Sequence, residues 1–258
     1  MENYYSLLTG LPDITLDGKT NYSLAQLQED IDENVDGEDR KVLDYIFLKK
    51  EADDLVQRMK AGEIPEEDEI ELLPTFMKEF VNDFIANKQT PNNNALFIPE
   101  DKMSLYYYKW AMSCKDKFVS DWFSLNFNMT NVLTALLARR NGWKVNDYVL
   151  GDNEIADMLR LSKSKDFDLS KEYDYISELM NIVNESDPVL KEKRIDAFKW
   201  LWLDERTFDD FFSLHALFAY ILKLQMLERW SILDVEQGKK KFTEIIEGLR
   251  SEAKVPEI

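Results

Sequence analysis

The chain has 258 residues, 50 acidic against 32 basic side chains and a formal net charge of −18. Its 45% hydrophobic and 12% aromatic composition can fill a core, which excludes a disordered chain. With 8 Gly and 7 Pro it lacks the turn formers that sandwiches and barrels need, and it reads as helical.

In chain order, Tyr4, Tyr5, Leu7 and Leu8 before Gly10, Leu11, Pro12 and Asp13 read as a short extended N-terminal segment and a turn. Residues 1–11 carry neither the cationic flank nor the apolar stretch of a secretory signal. Ser23 and Gln26 form a capping-box pattern ahead of Leu27 and Ile31. Asp36 is placed to cap a longer helix carrying Leu43, Ile46, Phe47, Leu55 and Met59 up to Gly62.

Between Pro65 and Pro74 lies the densest acidic run, Glu66, Glu67, Asp68, Glu69 and Glu71. It reads as a solvated connector or, more sharply, as a docking surface for a cationic partner. Thr75 is placed to cap a helix with Phe76, Phe80 and Phe84, and Thr90, Pro91 and Asn92 to Asn94 mark the clearest linker. From Ser104 to Arg140 there is no Gly or Pro. The expectation is one long helix over 104–141, or two joined by a kink near Lys115 to Lys117, ending at Asn141 and Gly142.

Asp152 then caps a short segment, Ser170 opens another that reaches Val183, and Asp187 with Pro188 makes an N-cap and first-turn pair. The stretch from Phe208 to Leu233 is the most apolar, but Lys223, Glu228 and Arg229 interrupt it, so it reads as a buried helix rather than a membrane span. A last helix is expected over 234–253, carrying the basic triplet Lys239 to Lys241. The fold expected is all-α and multi-helical, with two packed lobes. The first lobe, 1–100, holds 23 acidic and 9 basic residues, net −14; the second, 101–258, holds 27 and 23, net −4.

Chemistry-bearing patterns are scarce. The glycines are never closer than eight apart, which excludes Walker and dinucleotide phosphate loops. A single Cys rules out an intramolecular disulfide, and with a single His it rules out the common zinc constellations. His215 sits amid Leu214, Ala216, Leu217 and Phe218 and reads as a packed core histidine, while Cys114 reads as a small helix residue. Adjacent carboxylates such as Asp209 and Asp210 are what 50 acids produce by chance, and Tyr106, Tyr107, Tyr108 and Trp110 read as core. No catalytic residue, no cofactor and no metal are expected. The net charge weighs against nucleic acid and anionic lipid and leaves basic protein partners.

Residues 127–142, with Thr130, Asn131, Thr134, Leu136, Ala138 and Gly142, resemble a helix of the C-subunit of V-type ATPases, called the d-subunit in the eukaryotic enzyme. Asn128, Leu133 and Leu137 stand where that pattern has an acid, a lysine and an arginine. Leu217 to Lys223 with Leu227, Glu228 and Arg229 resemble the C-terminal helix of that family more loosely. The opening, Tyr4 to Leu8 with Gly10 to Asp13, resembles a bacterial family of uncharacterised proteins encoded among the components of V-type ATPases.

The resemblance implies a non-catalytic socket that joins the central stalk to the membrane rotor ring in ion transport. It would be cytoplasmic and peripheral to the inner membrane through the ATPase complex, without inserting into the membrane itself. It implies interface roles for Asn128, Asn131, Arg139 and Arg140, with the run Glu66, Glu67, Asp68, Glu69 and Glu71 drawn to basic loops of the ring or to stalk residues. The competing expectation is a free-standing acidic interaction module, a nucleic-acid mimic or an assembly chaperone.

Overall fold

The computed structural model describes residues 4–16, 18–89 and 98–232, and every regular element among them is a helix. The helices are α1 (Tyr5–Gly10), α2 (Leu24–Asn34), α3 (Gly37–Lys60), α4 (Glu67–Leu72), α5 (Thr75–Gln89), α6 (Pro99–Met112), α7 (Lys117–Arg140), α8 (Glu154–Leu161), α9 (Tyr175–Val183) and α10 (Pro188–Thr207). A 3-10 turn covers Val145–Asp147, and a further helix, α11, covers 214–232. The all-α expectation holds. Among the described residues no helix is long and apolar enough to cross a membrane.

The chain divides into two compact units, Met1–Asp36 with Asp196–Ile258, and Gly37–Ile195. This differs from the expected lobes 1–100 and 101–258. The reason is packing: α6 lies against α3, α5 and α7, so the helices on both sides of residue 100 share one core. The expected linker at Thr90, Pro91 and Asn92 to Asn94 lies outside the described residues, as does the expected last helix with Lys239 to Lys241.

In the first unit, the opening segment is helical rather than extended. Tyr4 and Leu7 are buried and Leu8 is half-buried, a spacing of three and four that suits a helix and not a strand. The Tyr4 N–H donates to the Phe212 carbonyl at 3.2 Å, and the Tyr5 and Phe212 rings lie 4.6 Å apart. The Ser23 and Gln26 capping box forms as expected, and the Glu228 carboxylate on α11 accepts the Leu24 N–H at 2.6 Å. Helix α11 buries Leu217, Phe218, Ile221 and Leu224 completely. It begins at 214 and not near Phe208, because Ser213 caps it: its hydroxyl accepts the Ala216 N–H at 3.2 Å. Phe208 and Phe211 remain exposed in the preceding turns. Asp196, 1% exposed, accepts from the Arg229 guanidinium and from Trp230 Nε1, the latter at 2.7 Å; such pairing is what lets a carboxylate stay buried.

In the second unit, an aromatic layer joins four helices. Trp110 stacks between Tyr45 at 4.1 Å and Phe76 at 4.7 Å, and Tyr107 meets Phe123 edge-on at 5.6 Å. The Tyr107 hydroxyl donates to the Tyr45 carbonyl at 2.6 Å, and burial pushes its pKa well above the ordinary value. Tyr107 and Trp110 thus serve the core, as expected. Of the two expectations for 104–141, one long helix or two joined near Lys115 to Lys117, the structure has the second, α6 ending at Met112 and α7 starting at Lys117. Ser113 turns its hydroxyl back to the Trp110 carbonyl at 2.6 Å, and Asp116 caps α7 by accepting the Val119 N–H at 3.1 Å. A short polar side chain at each end of the break competes with continued helix hydrogen bonding. The stop at Asn141 and Gly142, with Gly142 at φ 72°, is as expected. Three starts are displaced. Pro74, not Thr75, supplies the carbonyl for the first turn of α5, Asn153, not Asp152, caps α8, and α9 begins at Tyr175 rather than at Ser170.

Candidate functional site

Helix α7 organises the second unit through its polar residues. Asn131, 2% exposed, closes a two-way bond with Leu150: its side-chain amide donates to the Leu150 carbonyl and its oxygen accepts the Leu150 N–H, both at 2.9 Å. Asn128 accepts from the Asn153 amide at 2.8 Å. Arg139 reaches the carbonyls of Ser162 and Ser164 while its guanidinium covers the Phe167 ring at 3.5 Å. Burial draws the Arg139 pKa down, and the charge of Asp168 acts the other way. Arg140 donates to the Val183 carbonyl at 2.9 Å. All four residues expected at an interface therefore also bind elements of their own unit.

The acidic run is a helix rather than a connector. Glu69 accepts the Glu66 N–H at 3.1 Å, which starts α4, and acids in the first turn suit the positive end of a helix. Glu66, Glu67, Asp68, Glu69 and Glu71 are all exposed. Lys78 on α5 ties the end of the run by donating to the Glu71 carbonyl at 2.6 Å. Helix α4 packs on α5, whereas α7 packs on α6, α8 and α9, so the acids and the α7 residues form two surfaces and not one site.

Beside α7 the structure opens a cleft of about 990 Å³ whose lining includes Arg139, Arg140, Lys144, Arg160, Lys163 and Lys165, with Asp147 as its one acid. Its apolar lining is Leu136, Val145 and Leu159. Arg160 is anchored, donating to the carbonyls of Val149 at 2.9 Å and Gly151 at 2.5 Å. Lys144, Lys163 and Lys165 are exposed.

The loop bearing the last two lysines is shaped by Phe167 and Asp168, at φ 57° and 63°, a left-handed conformation costly for side chains larger than Gly. The buried Phe167 ring under Arg139 holds it, and so do the Ser162 and Ser164 hydroxyls, which donate to Asp168. Those two bonds hold the Asp168 carboxyl below its usual range. Trp143 and Tyr148, both exposed, stack at 5.4 Å and bracket the cleft-lining residues 144–147.

Sequence reasoning named Arg139 and Arg140 but missed Lys144, Arg160, Lys163 and Lys165. The signal available was a run of six cations between 139 and 165 in an acidic chain, but their convergence depends on the turn after α8. Among the described residues no group of three or more His, Cys, Asp or Glu side chains is placed to hold a metal. His215 is half-buried on α11 and Cys114 half-buried after α6.

The chain belongs to the family described as protein of unknown function (DUF2764), whose family model matches residues 1–253. No curated protein and no solved structure matches it.

Proposed function

We propose that this family member is a non-catalytic component of a V-type ATPase, similar in role to the C-subunit, that couples the central stalk to the membrane rotor ring. The observation that carries the reading is the segment 127–142. It resembles the C-subunit helix in sequence, and it forms the part of α7 whose Asn131, Arg139 and Arg140 bind three neighbouring segments of the chain. A part that transmits torque needs a stiff body more than a pocket with reactive groups, and a helix cross-braced by charge-assisted bonds to backbone carbonyls supplies stiffness. The exposed acids of α4 offer a second surface, suited to the basic loops that membrane proteins present on the cytoplasmic side. In this reading the protein is cytoplasmic and peripheral to the membrane.

Affinity purification of the tagged protein from its native membranes in mild detergent tests this. Recovery of stalk and ring components with it is expected. Recovery of unrelated basic proteins without any ATPase component would instead favour the free-standing acidic module.

A further inference from the structure

We propose that the cleft beside the end of α7 is a binding site for a carboxylate-rich segment of a partner protein. Six cations and one acid line it, in a unit that carries 30 acidic and 22 basic residues. Concentrating cations there against the prevailing charge costs self-repulsion, which an anionic occupant relieves.

The cations divide into two groups. Arg139, Arg140 and Arg160 spend donors on backbone carbonyls and so build the walls. Lys144, Lys163 and Lys165 are exposed, and among the described residues no hydrogen bond or ion pair engages their side-chain ammonium groups. Their positions are set in advance, Lys163 and Lys165 by the loop that Arg139 and Asp168 hold, and Lys144 by the turn that follows Gly142. Preorganisation of this kind lowers the ordering cost of binding.

The chemistry of the lining favours carboxylates carried on a peptide. A lone phosphate is best held by arginine forks or by successive backbone amides, and here the forks of Arg139 and Arg160 already serve carbonyls. The net charge of −18 repels any polyanion at long range, so the choice between a nucleic-acid backbone and a peptide rests on the lining. Leu136, Val145 and Leu159 give the cleft an apolar lining, and the exposed Trp143 and Tyr148 pair brackets its 144–147 edge. That combination fits a segment whose glutamates reach the lysines while an aliphatic side chain fills the apolar lining. The volume of about 990 Å³ is at the upper end for small-molecule sites, which also suits several peptide side chains.

The inference does not depend on the ATPase reading, because it concerns the isolated chain. The test is fluorescence anisotropy with a labelled peptide of glutamates interrupted by leucines. The same peptide with glutamine for glutamate, a single-stranded oligonucleotide and inorganic phosphate serve as comparisons. The glutamate peptide is expected to bind, more weakly as salt rises, and the glutamine peptide, oligonucleotide and phosphate are expected not to. The combined substitution Lys144→Glu, Lys163→Glu and Lys165→Glu is expected to weaken binding by about tenfold or more with an unchanged helical circular-dichroism melt. Should that variant melt early, the glutamine versions of the same three lysines take its place, with the same loss expected. Equal binding of the glutamate peptide by the folded variant, stronger binding of the oligonucleotide or phosphate, or no peptide binding at low salt would overturn the proposal.

Discussion

Asn131 illustrates how one side chain holds distant backbone. Removing its amide leaves the N–H and carbonyl of the half-buried Leu150 without their partners, at about 1–2 kcal/mol for each group. Asn131→Ala is therefore expected to lower unfolding stability by about 2–4 kcal/mol, measured by urea denaturation. The adjoining Gly151 has φ 76°, and a Cβ there would lie 2.9 Å from the Phe127 ring. Gly151→Ala is expected to cost at least about 1–3 kcal/mol, whereas Ala at Gly10, where a Cβ meets nothing within 4 Å, should cost little. The sequence pattern marks Asn131 as a residue worth noticing. It cannot reveal that a partner is a main-chain group 19 residues away, which makes Asn131 an internal brace.

Asp168 gives the residue scale its pH dependence. Its folded-state pKa lies below the ordinary 3.8 because the Ser162 and Ser164 hydroxyls donate to the charged form. The stabilisation is therefore present above the unfolded value and is lost as pH falls through the lower folded value. Thermal melts should show Asp168→Asn losing stability relative to the parent at neutral pH, with the difference shrinking as pH drops below about 4.

Among the elements, the loop after α8 depends on α7. Arg139 donates to two of its carbonyls and covers Phe167, which offsets the strain of two left-handed residues. Arg139→Gln should speed hydrogen exchange over 162–168 while the middle of α7 exchanges as before; unchanged exchange in the loop would show that Phe167 burial and the Asp168 bonds hold it without Arg139. Most helices were legible: the Ser23 capping box, the stop at Gly142 and the Asp187 and Pro188 start follow from local hydrogen bonding and appear as expected. The break between α6 and α7 falls beside Lys115 to Lys117, where a kink was one of the two expectations, and Ser113 and Asp116 supply its cap bonds. Two features were not legible. The opening segment was too short for its period to decide, and its helix meets Phe212 far along the chain. The acidic run between two prolines looked like a connector, yet acids favour the first turn of a helix, and Glu66 and Glu69 start one there.

For the whole molecule, the charge asymmetry changes meaning. Divided at residue 100, the chain places −14 of its −18 in the first part. Divided by contacts, the unit Met1–Asp36 with Asp196–Ile258 has 20 acidic and 10 basic residues, net −10, and Gly37–Ile195 has 30 and 22, net −8. The acid belongs to both units, and what distinguishes the second is separation: an exposed acidic helix in one place, a cationic cleft in another. Sequence reading found the acidic surface because its residues are contiguous. It missed the cleft because α7 and the loop after α8 contribute from segments more than 20 residues apart, and only folding gathers them.

Two oppositely charged surfaces on braced helices suit a part that holds two partners at once, and the proposed coupling role makes a direct demand on function. In membrane vesicles depleted of this protein, ATP hydrolysis by the ATPase head and ATP-driven ion uptake can be measured side by side. The account predicts that hydrolysis persists while uptake falls to background, and that adding back the purified protein restores uptake. Uptake that is undiminished without the protein would contradict it.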